Sequence, residues 1–286
     1  MSRLLRANFA RLWKSRIFWI GIIYSLGVGA AVSVTPYRES LMYADYNPSF
    51  DNFLYTNCMF MPIVAAVFIG LFIGTEYSNG TIRNKIIVGH MRSSVYLSNL
   101  IVSAVAVLIM HIVCIVTVTW LGGTLVGNRE MPVGYLVTLG LLSVVTLTAI
   151  AAFFLLICML INSRSNASVA VILISFAFLM GAMMISSRLE APEYYDAYTV
   201  EYYDGETGEM IEEYIEQEKN PKYITGIKRE IYEFLYDFLP GCQMVQIGQQ
   251  EENIPGKSVQ FIIYSLLIAG LSTVGGVFFF RRKNLN

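Results

Sequence analysis

The sequence predicts an all-α polytopic membrane protein whose chain crosses the bilayer with six helices. Composition is the first indication, since 55% of the residues are hydrophobic, 14% are charged and the mean hydropathy is +0.55, above the values of soluble domains. The second indication is a series of apolar segments, each near or above the roughly 20 residues that span a bilayer core. These segments lie at 17–35, 53–74, 95–123, 132–161, 167–187 and 259–280.

The charges that flank these segments predict the orientation of the chain, because Lys and Arg near spans stay on the cytoplasmic side. With the N-terminus inside, the inner segments hold twelve basic residues and a single acid, Glu76. The outer segments hold the other eight basic residues and 20 acids. We therefore expect both termini on the cytoplasmic side of a multi-pass protein.

Residues 2–16, SRLLRANFARLWKSR, have the pattern of an amphipathic helix that lies on the inner leaflet. The alternative is a basic flank that only orients the first span. A cleaved signal peptide is a further alternative for that span, because the apolar run ends near small residues at 29–31. The apolar face holds Leu4, Leu5, Phe9, Leu12 and Trp13, and the opposite face holds Arg3, Arg6, Arg11 and Lys14.

Residues 75–94 form a polar, basic segment between the second and third predicted spans. Gly80 and its polar neighbours favour a turn, and the following residues, 81–87, have the spacing of a short amphipathic helix. In the preceding span, Gly70 and Gly74 form a G-x-x-x-G pair that allows close helix contact. Pro62 in the same span predicts a bend.

The loop at 188–258 is the largest segment outside the predicted membrane, with 71 residues, a net charge of −10 and nine of the eighteen tyrosines. Its TVEYYDGETGEM stretch predicts a β-hairpin with an Asp-Gly turn. The stretch from Pro221 predicts a helix that stops at Pro240-Gly241. We expect a small extracellular α/β insertion between helices 5 and 6. The apolar face of its helix holds Ile227, Ile231, Phe234, Leu235 and Phe238.

The acids and tyrosines of this insertion suggest capture or gating of a cationic amphipathic substrate, since acids steer cations and tyrosines make amphipathic contacts. The alternative is a soluble cap whose acids keep it hydrated. The candidate substrate contacts are Tyr194, Tyr195, Tyr198, Tyr202 and Tyr203.

The chain divides into three regions. Residues 1–187 hold the amphipathic helix, five spans and the cytoplasmic segment 75–94; residues 188–258 hold the extracellular domain; residues 259–286 hold the sixth span and a basic tail. His111 lies near the centre of the third span and is a candidate intramembrane polar site, because ionisable groups in lipid are costly. A neutral histidine that is hydrogen-bonded inside the bundle is the alternative.

Catalytic and metal sites are not predicted. The chain has two histidines and lacks an H-E-x-x-H pair, a P-loop Gly-Lys-Ser/Thr motif, a G-x-S-x-G motif and C-x-x-C spacing. None of the predicted spans contains an acid that could serve an intramembrane aspartyl site. We expect no catalytic residue, no metal and no nucleic-acid partner.

The stretch EYSNGT, residues 76–81, resembles a Glu-x-x-x-Gly-Thr pattern that follows the second span in permease subunits of ABC-2 type transporters. The similarity is to the branch that includes bacitracin- and lantibiotic-resistance exporters. The amphipathic N-terminus agrees with it, as does the FLPG stretch at 238–241, where these permeases often have a hydrophobic hairpin that dips into the outer leaflet. The resemblance implies a type V ABC exporter-like fold.

The resemblance also implies a function, that of the permease subunit of an ATP-driven exporter in a bacterial plasma membrane, with antimicrobial peptides as a substrate class. ATP and Mg would be used by a cytoplasmic ABC ATPase subunit, so this chain would bind no cofactor. Its other partners would be a second permease copy or a paralogue, and membrane lipid. The segment that would couple to the ATPase comprises Glu76, Tyr77, Gly80, Thr81, Ile82, Arg83 and Lys85, with Glu76 as its anchor.

Two other functional classes stay open. A membrane sensor would bind a ligand with its extracellular domain and contact a signalling partner with its inner segment. A membrane-bound enzyme would turn over a substrate without any partner.

Overall fold

The structure is a computed structural model and describes residues 1–203 and 210–283. Within these residues, six helices are long and apolar enough to cross a membrane, which confirms the predicted all-α polytopic class. They are α2 (Arg16–Met42), α3 (Met61–Ser78), α5 (Arg92–Leu125), α6 (Val133–Leu160), α7 (Arg164–Leu189) and α10 (Ile254–Arg282). The shorter elements are α1 (Ser2–Trp13), α4 (Thr81–Ile87), β1 (Tyr194–Tyr195), β2 (Tyr198–Tyr203), β3 (Met210–Ile215), β4 (Glu218–Lys219), α8 (Ile227–Phe238) and α9 (Pro240–Gln249).

The second span differs from its prediction at both ends. Residues Phe50–Phe53 and Thr56–Met59 form two 3₁₀ turns, and α3 begins only at Met61. Pro62 therefore lies in the first turn of α3, where its missing N–H removes no helical hydrogen bond, and the predicted bend is wrong. The helix continues past the predicted end, so Glu76 is part of α3.

Small residues set the closest approaches between the spans. A Cβ atom at Gly70 would lie 2.9 Å from the Cα of Ser168, and one at Gly74 would lie 2.6 Å from Cγ of Arg164. Both glycines therefore face α7, and the predicted role of the G-x-x-x-G pair in close helix contact is confirmed.

The bundle has two ends, which we name by the short helix that each one holds. At the α4 end, α1 and α4 pack against the neighbouring ends of α3 and α5. At the α9 end, α9 is inserted beside the 3₁₀ turns and the start of α6, and Gln250 Nε2 donates to the carbonyl of Asp51 at 2.8 Å. Tyr135 of α6 donates to the carbonyl of Gln250 at 2.7 Å. All of α9 from Pro240 to Gly248 is buried.

Two small antiparallel sheets form the insertion between α7 and α8. β1 pairs with β4, and β2 pairs with β3 in a register that runs from Tyr198 opposite Ile215 to Tyr203 opposite Met210. The first strand of the predicted hairpin is therefore confirmed as β2, whereas β3 begins only at Met210, the last residue of the predicted stretch. The predicted Asp-Gly turn lies outside the described residues. Helix α8 begins at Ile227, later than predicted, after Gly226 with a φ of +58°.

Candidate functional site

The carboxylate of Glu76 is buried near the end of α3, where the residue is 1% exposed. Arg11 of α1 and Lys85 of α4 both form ion pairs with Glu76 Oε1. Asn99 of α5 donates through Nδ2 to Glu76 Oε2 at 2.6 Å. Side chains from three other helices therefore converge on one carboxylate.

A second asparagine closes these contacts into a ring. Asn8 of α1 donates to Asn99 Oδ1 at 2.9 Å and to Ser98 Oγ at 3.0 Å. It also accepts a hydrogen bond from Lys85 Nζ at 2.8 Å. The chain of bonds then runs from Glu76 through both asparagines and Lys85 back to Glu76. We call Asn8, Arg11, Glu76, Lys85 and Asn99 the Glu76 cluster.

The cluster places two cations against one carboxylate. Burial lowers the pKa of Arg11 to about 10. Burial and, secondarily, the neighbouring Arg11 guanidinium lower the pKa of Lys85 to about 7. Lys85 is thus the cation that loses its proton first as the pH rises, which leaves a matched pair of Arg11 and Glu76. Arg11 has a further contact, since its guanidinium carbon lies 3.9 Å from the ring centre of Phe72.

A buried charge that loses its partner is strongly destabilising, so the geometry of such a cluster is tightly held. The cluster therefore fixes the positions of α1 and α4 relative to α3 and α5. The start of α4 adds to it, because Gly80 has a φ of +65° immediately before Thr81, and Ile82 is 1% exposed in the core. The cluster therefore joins α4 and α1 to two spanning helices, α3 and α5.

Exposed apolar residues lie at the end of α4 and in the segment that follows it. Ile87, Val88 and Met91 are 71%, 79% and 70% exposed. Arg83 is also exposed and lines a 260 Å³ cleft with Tyr77 and Asn162. The segment predicted to couple to a partner thus has an inner side in the cluster and an outer side that is free in this chain.

Three members of the cluster were not predicted as site residues from the sequence. Arg11 was placed on the polar face of α1, but the structure turns it inward, because Glu76 lies under that turn. Asn8 lies on the apolar face of α1 between Leu4 and Leu12, which are both buried. A polar residue on an otherwise apolar face was the available signal, and Asn99 within a predicted span was a second one.

Tyr77, the neighbour of Glu76, faces another part of the bundle. Its hydroxyl donates to the carbonyl of Met159 in α6 at 2.7 Å and accepts from Lys283 Nζ at 3.0 Å. Tyr77 therefore connects the segment to the ends of α6 and α10.

Two of the tyrosines selected from sequence line a cleft in the insertion. Tyr195 and Tyr198 surround an open cavity of about 440 Å³ together with Asp196, Glu216 and Glu218. Tyr194 is exposed in β1. Tyr202 and Tyr203 belong to β2, but their side chains lie outside the described part of the structure.

His111 is buried in α5, and its Nε2 lies 2.8 Å from the hydroxyl of Ser143 in α6. Ser143 in turn donates to the carbonyl of Gly140 at 2.8 Å. This geometry agrees with the alternative interpretation of His111, in which the histidine is hydrogen-bonded inside the bundle.

Comparison with known proteins identifies the family. None of the curated proteins compared with the chain matches it. A family model described as "ABC-2 family transporter protein" matches residues 4–182. That range runs from α1 into α7 and contains every member of the Glu76 cluster. Because the match covers more than half of the 286 residues, the chain belongs to the ABC-2 transporter family and is a multi-pass membrane component of a transport system.

Proposed function

We propose that this chain is the permease subunit of an ATP-driven exporter and that α4 receives the movement of a separate ATPase. The Glu76 cluster carries the proposal, since it joins α4 to α1, α3 and α5 through buried charges and hydrogen bonds. A short helix so tied to the spans moves them when a partner pushes it. The excess of Lys and Arg at the α4 end supports a cytoplasmic location for it. The membrane of this proposal is a bacterial plasma membrane.

The outer side of α4 is the proposed docking surface for the ATPase. Ile87, Val88 and Met91 expose apolar side chains, and the exposed Arg83 lies one helical turn before Ile87, a mixture of residue types that is common at protein interfaces. Glu76 has a different role in this proposal. Because its carboxylate is buried, it holds α1 and α4 in place and does not itself touch the partner.

ATP and Mg are bound and used by the ATPase in this proposal, so the permease needs no cofactor of its own. A second permease, either another copy or a similar chain, completes the translocation path within membrane lipid.

We further propose cationic amphipathic molecules, such as antimicrobial peptides, as the substrate class. The cleft between Tyr195 and Tyr198 carries three carboxylates, and the insertion around it is strongly acidic. Acids attract a cationic ligand over distance, and tyrosines contact its apolar parts. The same cleft also fits a sensor that binds such a ligand, and a sensor would work without any ATPase.

Affinity purification from native membranes tests the function. The full chain in mild detergent is expected to bring down a P-loop ATPase in near-stoichiometric amount, as measured by mass spectrometry. Val88→Asp puts a charge on the docking surface and is expected to deplete the ATPase, because an apolar contact becomes a desolvated carboxylate. Ile227→Asp is the matched control, since Ile227 is 74% exposed at the α9 end.

Two results would count against the proposal. A monodisperse wild-type preparation without an ATPase would favour the sensor. Equal depletion by the substitutions at residues 88 and 227 would show that the surface of α4 has no special role.

A further inference from the structure

Lys283 follows the last turn of α10 and lies between the ends of two other spans. Its Nζ donates to the carbonyl of Met159 at 2.7 Å and to the hydroxyl of Tyr77 at 3.0 Å. The ammonium also lies 4.4 Å from the ring centre of Tyr77. Carbonyls in the last turn of a helix lack helical partners, so Lys283 satisfies one of these at the end of α6. Its contacts therefore hold the end of α10 against α3 and α6.

Arg92 holds the same end of α10 from the other side. It is the first residue of α5, and its Nη1 donates to the carbonyl of Arg281 at 3.1 Å and to that of Phe280 at 3.4 Å. It also donates to the carbonyl of Lys283. A cation at the C-terminal end of a helix is favourable because it meets both unpaired carbonyls and the negative end of the helix dipole. We call Tyr77, Arg92, Met159 and Lys283 the α10 latch.

The first turns of α5 belong to both the latch and the Glu76 cluster. Tyr96 is fully buried, donates to the carbonyl of Ser272 at 3.3 Å and packs directly on Gly276 of α10. Asn99, one turn further on, binds Glu76. The start of α5 is therefore held to the Glu76 cluster on one side and to α10 on the other.

The other half of α10 contacts the buried helix α9. Ser265 donates to Gln243 Oε1 at 2.7 Å, and Thr146 of α6 donates to the same oxygen at 3.0 Å. Gln243 is fully buried in α9. α10 is a continuous helix from Ile254 to Arg282, so the latch and the Gln243 contact belong to the same rigid element.

We propose that Arg92 and Lys283 are positioning residues that make α10 the helix through which movement of α4 reaches α9. This inference rests on the proposed function, since it takes an ATPase as the source of the movement. Sequence alone treats both residues as charges that orient the chain. In the structure, each of them binds carbonyls at the end of a helix. A charge that only oriented the chain would not need such partners.

Cys242 of α9 offers a native reporter, because it is 1% exposed in this structure. The experiment uses the full permease with its co-purified ATPase in lipid nanodiscs, with Cys58, Cys114 and Cys158 replaced by Ala. The rate of maleimide labelling at Cys242 is measured without nucleotide and with ATP plus vanadate. We expect the wild-type rate to change roughly tenfold between the two states, within the usual range of coupling between distant sites.

Lys283→Met and Arg92→Gln are expected to abolish this nucleotide-dependent change while the complex stays assembled and hydrolyses ATP. Lys283→Arg should restore it, because a guanidinium can still donate to both oxygens. Arg282→Met is the matched control, since Arg282 is an exposed cation of the same turn and stacks on Phe278 at 4.1 Å instead of binding the ends of α3 and α6.

Each contrary result has a separate meaning. A full nucleotide response in Lys283→Met and in Arg92→Gln would overturn the latch. If an ATPase co-purifies but nucleotide does not change the labelling rate of wild-type Cys242, the path to α9 is overturned and the proposed function is unaffected. A preparation without any ATPase would overturn both.

Discussion

At the residue scale, the Glu76 cluster depends on an imbalance of charge. One carboxylate faces Arg11 and Lys85, and the excess cation is accommodated because burial lowers the pKa of Lys85 to about 7. A neutral amine can still donate to Asn8, so the ring of hydrogen bonds survives loss of that proton. Glu76 has no such substitute, because it is the acceptor for both cations.

Glu76→Gln should therefore destabilise the chain. The change leaves Arg11 and Lys85 buried without a counter-charge, which costs about 3 kcal/mol for pairs of this kind. The measurement is the thermal unfolding midpoint of the purified chain in detergent, which should fall clearly. Adding Lys85→Met to Glu76→Gln should recover part of the loss, since one uncompensated cation is removed.

Glu39→Gln is the control for this change, because Glu39 is an exposed acid of α2. If the midpoints of the variants at residues 39 and 76 were the same, the cluster would not be a stabilising feature.

At the scale of elements, the spans owe their arrangement to where glycines permit contact. A Cβ atom at Gly276 would lie 2.0 Å from the hydroxyl oxygen of Tyr96 and 2.2 Å from its Cζ. Among the described residues, no atom beyond the local backbone of α10 and the residues next to Gly275 lies within 4 Å of a Cβ atom placed there. Substitution of these two glycines therefore distinguishes the effect of close packing of α5 on α10 from the general preference of helices for Ala over Gly.

Gly276→Ala is expected to cost about 1–3 kcal/mol, because a methyl group must displace a buried tyrosine ring. Gly275→Ala should be neutral or stabilising by up to about 1 kcal/mol, since Ala is the better helix former. Thermal unfolding midpoints of the two variants provide the comparison. The packing argument would be wrong if both substitutions changed the midpoint alike.

At the scale of the whole molecule, the chain has a basic end and an acidic end. The basic end holds α1, α4 and the latch, and the acidic insertion lies beyond α7. In the proposed exporter, the first receives the ATPase and the second meets the substrate. This separation leads to a prediction about the cleft that Tyr195 and Tyr198 line.

Replacing Tyr195 and Tyr198 together by Ser should weaken binding of a fluorescent, synthetic Lys- and Leu-rich peptide by about tenfold, which corresponds to roughly 1.4 kcal/mol. The reason is that two aromatic contacts are lost while the acids remain. Binding is measured by fluorescence anisotropy, with the full chain in nanodiscs of zwitterionic lipid. It should also weaken as salt is raised, because salt screens the carboxylates.

Tyr214→Ser is the matched control, since Tyr214 is 67% exposed in β3 and does not line the cleft. If loss of both cleft tyrosines does not change the peptide affinity, the insertion does not capture substrate through this cleft and is better explained as a hydrated cap.

The sequence by itself determined the class of the protein, the number of spans, the helices α1 and α4 and the strand β2. These features depend on local quantities, namely the transfer of apolar segments into lipid, the helical period and strand propensity. The Glu-x-x-x-Gly-Thr stretch also directed attention to Glu76 before its contacts were known. The pattern failed at the start of α3, because the 3₁₀ turns before it contain apolar residues, such as Phe53, Cys58 and Met59, that extend the apolar run of the helix.

Only the tertiary structure decided which side chains meet. Asn8 binds Asn99 across 91 residues of chain, and Lys283 binds Tyr77 across 206. Helices that are apolar on all sides carry no periodic signal for the face that meets a neighbour. Small residues and buried polar contacts choose that face, and they act only once the helices are packed together. For this reason the sequence could point to Glu76, whereas Arg11, Asn8, Asn99 and the α10 latch required the fold.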